Sequence, residues 1–276
     1  MKGKAIARIV LFSMIALVLL CVLLAGLGLS SFAKPVSSQI VSVQSTGSEY
    51  EFALEEVSGL AISWASGDID IQPADQDTIT VSEERSGGSS MVVRHRGSTL
   101  EIAFGENKWS LGGGKSTQKD LSVRVPRDWL CQSLEISAAA TGIWVDGLPI
   151  TNVVLNTASG DCAFTDCTVE KIQVNTASGD LDYSGVLKKL ELNGTSADCN
   201  LWLSDAPAAI EMNTASGDLN LTLPDNCGFT LDRSSLSGAF QSDFATTTEN
   251  DKIVCGDGTC QITFSSLSGN INICRK

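Results

Sequence analysis

The sequence predicts an all-β chain whose main body is a parallel β-solenoid. Three observations predict it: a repeated turn, alternating runs on both sides of the turn, and a period too short for a helix. The turn reads Asn156-Thr-Ala-Ser-Gly-Asp161, Asn175-Thr-Ala-Ser-Gly-Asp180, a looser Asn193-Gly-Thr-Ser-Ala-Asp198, and Asn213-Thr-Ala-Ser-Gly-Asp218. The asparagines stand 19, 18 and 20 residues apart, a spacing typical of stacked repeats. Val153-x-Leu155, Ile172-x-Val174, Leu190-x-Leu192 and Ile210-x-Met212 enter the turns, and Cys162-x-Phe164, Leu181-x-Tyr183, Cys199-x-Leu201 and Leu219-x-Leu221 leave them. Period-two alternation around a Ser-Gly-Asp turn reads as strand, turn, strand.

Stacking then predicts columns. Equivalent positions in neighbouring coils lie about 4.8 Å apart, so Leu155, Val174, Leu192 and Met212 form one buried column. Cys162, Leu181, Cys199 and Leu219 form another. Asn156, Asn175, Asn193 and Asn213 form an amide ladder at the strand end, with Asn175 expected in the interior and Gln173 on the outer face. Gly160, Gly179 and Gly217 suit a position of positive φ, although Ala197 takes that place in the third copy. Like charges in the column Asp161, Asp180, Asp198 and Asp218 repel by roughly 1 kcal/mol per pair in water. The carboxylates therefore either cap turn amides or share a cation.

The N-terminus is a separate element. Lys2, Lys4 and Arg8 precede an apolar run from Ile9 to Leu29, long enough to cross a bilayer as a helix. The positive flank stays in the cytoplasm and the remainder is exported. The run exceeds the usual signal core, which favours an uncleaved anchor over residues 1–33; the alternative is a signal peptide cut after Ala33. Cys21 lies mid-run and does not make a lipoprotein signal. Residues 34–130 then read as irregular β coils and 131–276 as the repeat solenoid with atypical C-terminal coils.

Strands are expected at Glu51–Leu54, Leu60–Ile62, Thr78–Val81, Met91–Val93, Leu100–Ile102 and Leu121–Val125. Ala65-Ser-Gly-Asp68 is an isolated early copy of the turn, and the Gly- and Ser-rich stretch from Glu106 to Lys119 reads as a surface loop. Ser137-Ala-Ala-Ala-Thr-Gly142 is an eroded first coil, and Ser235-Leu-Ser-Gly238 and Ser266-Leu-Ser-Gly269 are late copies. Atypical end coils hide open strand edges.

Charge narrows the partners. The net charge is −13, and residues 1–33 carry three cations and no anion, so the exported part stands at −16. That disfavours nucleic acid and anionic polymers.

Catalytic constellations do not emerge. Gly112-Gly-Gly-Lys115-Ser-Thr117 lacks the leading glycine of a phosphate loop, since position 109 is Trp109. Ser31-Phe-Ala-Lys34 matches an acyl-enzyme spacing by letters alone, and His95, the single histidine, sits among charges on a strand. No metal, cofactor or catalytic residue is assigned. Eight cysteines lie beyond residue 33: Cys131, Cys162, Cys167, Cys199, Cys227, Cys255, Cys260 and Cys274. Cys162 and Cys199 read as buried small hydrophobes two coils apart, too far for a bridge. Cys255 and Cys260, facing across a Gly-Asp-Gly-Thr turn, are the best disulfide candidate. Zinc through four thiolates has no Cys-x-x-Cys pair to support it.

Taken together, the N-terminal apolar segment, Ala65-Ser-Gly-Asp-Ile-Asp-Ile71, Leu121-Ser-Val-Arg-Val-Pro126 and the Thr-Ala-Ser-Gly-Asp turns resemble the bacterial adhesin-candidate family, domain of unknown function 4097. The resemblance spans roughly residues 40 to 274. It implies a β-solenoid-like ectodomain on the cell envelope, and carries no catalytic residues over. The expected function is a membrane-anchored, extracytoplasmic binding or structural module with an envelope protein or glycan partner. The alternatives are an accessory of an envelope-stress sensor or a polysaccharide-cleaving solenoid enzyme. Such an enzyme sets carboxylates in an open groove, and Asp182, Glu191 and Glu211 are the outward candidates.

Overall fold

Alternation decides each coil: β-branched and aliphatic residues at every second position turn inward, and polar residues turn out. The computed structural model describes residues 44–45, 49–53, 57–85, 91–105 and 118–276. Among these every regular element is a strand, and no helix is long and apolar enough to cross a membrane. The expected anchor at residues 9–29 and Gly112–Thr117 lie outside the described residues.

Coils can be numbered in chain order. Coil 1 is Gly59–Ala74, coil 2 combines Thr99–Ala103 with Lys119–Pro126, and coil 3 is Cys131–Asp146. Coils 4, 5 and 6 span 149–165, 168–184 and 186–203. Coil 7 is Ala209–Ser216 with Leu219–Leu223. Coil 8 is Phe229–Ser237 with Phe240–Ser242, and coil 9 is Cys260–Ser268 with Ile271–Arg275. Pairing between coils is parallel and in register: Leu155, Val174, Leu192 and Met212 align, as do Cys162, Leu181, Cys199 and Leu219. The expected columns are present, and all eight residues are buried.

The order of stacking differs from the order of the chain at both ends. Coil 1 is sandwiched between coils 2 and 3, so Ala65-Ser-Gly-Asp68 is no isolated copy; it stacks directly on the eroded turn of coil 3. At the other end coil 9 inserts between coils 7 and 8. The stack therefore runs 2-1-3-4-5-6-7-9-8. Antiparallel strands close the poles: Thr78–Arg85, Glu49–Ala53 and Val92–Arg96 over coil 2, and Lys252–Cys255 over the start of coil 8.

Two local expectations fail. Lys119 begins a strand and is buried, so the surface loop does not reach it. Its Nζ donates to the Phe104 carbonyl, stands 4.3 Å from the Phe104 ring centroid, and lies 3.7 Å from Glu83 Oε2. Cys255 and Cys260 are free thiols. Both register with Phe229, one on each side of it. A whole strand lies between them, placing them about 10 Å apart, beyond disulfide reach.

Candidate functional site

The Ser-Gly-Asp corner is built by backbone packing. Gly160, Gly179 and Gly217 have φ of 119°, 137° and 152°. A Cβ at Gly179 would lie 2.3 Å from the Gly160 carbonyl oxygen, so corners stack only without side chains there. The third copy solves the same problem by exchange. Ala197 keeps an ordinary φ and is buried, and Gly194 leaves room for its methyl.

Three polar ladders run along the outside of the stack. At the corner, each carboxylate accepts the backbone N–H of the next aspartate: Asp161 from Asp180 at 3.0 Å, Asp180 from Asp198 at 2.8 Å, and Asp198 from Asp218 at 2.7 Å. Asp218 then accepts from the Asn270 amide at 2.7 Å. The aspartates thus cap amides, those of the neighbouring coil and not their own turn. At the N-terminal end Asp120 accepts from the Asp68 N–H at 2.9 Å, and desolvation together with the Asp120 charge raises the Asp68 pKa.

The second ladder is the expected asparagine column. Nδ2 of Asn175 donates to Asn156 Oδ1 at 3.0 Å, Asn193 to Asn175 at 3.4 Å, and Asn213 to Asn193 at 3.2 Å. Asn193 and Asn213 also donate to Glu191 and Glu211. This ladder shares the outward face with Gln173, because Val174 and Thr176 are the inward neighbours. What distinguishes Asn175 from Gln173 is bonding above and below, not the face it occupies.

The third ladder went unread in the sequence. Beyond the corner, Asn200 Nδ2 donates to Asp182 Oδ1 at 2.8 Å, Asn220 to Asn200 at 2.8 Å, and Asn272 to Asn220 at 2.7 Å. Asp182 therefore stands on the strand after the corner, tied to an amide, while Glu191 and Glu211 stand before it on the asparagine ladder. The structure does not bring these three carboxylates together in one ladder.

Two tryptophans flank the start and middle of this third ladder. Trp144 aligns with Ala163, which aligns with Asp182 and then Asn200. It is 44% exposed, and Trp202, two residues after Asn200, is 51% exposed. A Cβ at Gly142 would lie 2.2 Å from Trp144 Cη2, so the indole folds back over the corner where other coils carry aspartate. The signal was present in the sequence: Ile143-Trp-Val145 and Leu201-Trp-Leu203 each place an aromatic at the outward position of an alternating run.

Seven of the eight described cysteine thiols are buried. Burial pushes the Cys131, Cys162 and Cys260 thiols up to about 12 and Cys167 to about 11. Cys274 is the exposed thiol among the described residues. His95 is half-buried on the strand Val92–Arg96.

The family model of Toastrack DUF4097 matches residues 57–204 and 187–274. No curated protein matches the chain. Among solved structures, a candidate cell adhesion protein from Clostridium sporogenes ATCC 15579 is 12% identical, with a TM-score of 0.36 over 83% of this chain and 99% of that one. A candidate adhesin from Bacteroides fragilis NCTC 9343 is 13% identical, with a TM-score of 0.44 over 83% and 98%. A candidate lipid binding protein from Parabacteroides distasonis ATCC 8503 is 12% identical, with a TM-score of 0.33 over 86% and 99%.

Proposed function

The chain belongs to the Toastrack DUF4097 family, and from that premise we propose that it is a binding module displayed outside the cell membrane. The observation that carries this reading is the set of three outward ladders, which repeat the same hydrogen-bonding groups from coil to coil on a rigid core. A rigid array presents polar groups without ordering them at the moment of binding, which lowers the entropic cost of association. Residues 9–29 hold the module to the membrane, and the positive residues before them keep the body outside.

The test is saturable binding of the purified chain to isolated cell envelopes, with fractionation and external protease on wall-stripped cells. The expected results are a saturable isotherm, recovery in the membrane fraction, and cleavage beyond Lys34. Absence of saturable binding overturns the module reading. Recovery as a soluble cytoplasmic chain overturns the anchor and its orientation.

A further inference from the structure

Resting on the binding-module reading, the geometry points to a neutral polysaccharide as the partner, held along the stack by Trp144 and Trp202. The two indoles project from the same sheet face, since Trp144 shares a column with Asn200 and Trp202 follows it by two residues. Three coil rises and two residues along the strand separate their backbone positions, roughly 16 Å by strand geometry. One sugar of an extended glycan advances by close to one coil rise. A chain laid obliquely along the stack therefore meets roughly one coil per sugar and sets apolar ring faces on indoles carried by coils three apart.

What lies between the indoles fits the rest of such a chain. Ala163 is the small residue next to Trp144 and leaves a low place between it and Asp182. Asp182 and Asn200 are half-buried and joined at 2.8 Å. Asn200 uses one N–H along the ladder and retains a second, and carboxylates and amides are the groups that bind sugar hydroxyls. The other outward positions are Asp146, Thr165 and Ser184. This strip carries acids, amides and hydroxyls and no cation, in a chain of net charge −13, so a polyanion or an anionic lipid surface is repelled. Two indoles separated by polar residues also form no contiguous apolar patch of the kind a protein partner covers. A neutral polyol is the chemistry that remains.

Affinity electrophoresis of the full-length chain in mild detergent tests this, with hydroxyethylcellulose, galactomannan or dextran in the gel and polygalacturonate as the charged comparison. The expected result is retardation by at least one neutral glycan, reduced tenfold or more by Trp144→Ala and by Trp202→Ala, and restored by Trp202→Phe. Both substituted positions are exposed, and circular dichroism of each variant identifies any that fails to fold; the Trp202→Phe rescue reads stacking independently. Retardation that ignores both substitutions, or that is stronger in polygalacturonate, overturns the proposal. So does saturable envelope binding that is lost on protease treatment of the envelopes. No retardation in any neutral glycan, with envelope binding intact, overturns the glycan assignment alone and leaves the module reading standing. Loss of both overturns both.

Discussion

Asn175 and Gln173 occupy the same face two residues apart, and they make a direct test of what the ladder contributes. Asn175 bonds to Asn156 and to Asn193, so Asn175→Ala breaks the ladder above and below. The expected loss is about 1–3 kcal/mol, against no more than about 0.5 kcal/mol for Gln173→Ala, both read by chemical denaturation. Equal effects would show the ladder to be energetically idle. Thiol chemistry follows burial in the same way. Cys274→Ser should remove the one rapidly labelled thiol among the described cysteines, because the other seven are buried. The aspartate column was only half legible, since the sequence places carboxylates at turns but does not say whose amide each one meets. Trp144 and Trp202 were legible in principle, as aromatics at outward positions of strict alternation, but they are single departures, and periodicity draws the eye to what repeats.

At the scale of the element, the repeated coils were readable because each one carries its own register marker. A turn every 18 to 20 residues aligns each coil with the next without outside information. The end coils carry looser copies of the turn that do not recur at this spacing, and their neighbours are set by contacts distant in sequence. That is why Cys255 and Cys260 looked like hairpin partners when Phe229 stands between them. The interleaved end makes a prediction of its own. Coil 8 has coil 9 as its parallel neighbour, so removing residues 260–276 should unfold coil 8 as well. Hydrogen exchange should show protection lost across 229–255 and kept across 131–203. Protection persisting in 229–242 would contradict the 7-9-8 order.

Taken as a whole, the molecule is one core with ionisable thiols sealed inside it, and this fixes its response to alkali. Cys131, Cys162 and Cys260 ionise in the folded state only near 12, against an ordinary value of 9.0. As pH rises above about 9 the unfolded chain releases these protons first, so stability falls between about 9 and about 12. The slope is about 1.4 kcal/mol per pH unit for each thiol. Denaturant titrations at several pH values should show it, and Cys162→Ala should reduce it by one proton's worth; an unchanged slope would place that thiol in contact with water. The last described strand has no free edge over its first half. Ile271–Ile273 pairs along both edges, with Leu219–Leu221 and with Phe240–Ser242, and Cys274–Arg275 continues on the first of these. A pull along this strand loads both ladders in shear at once, with no single row to unzip, so the strand acts as a mechanical pin that must be drawn before the outermost coil comes away.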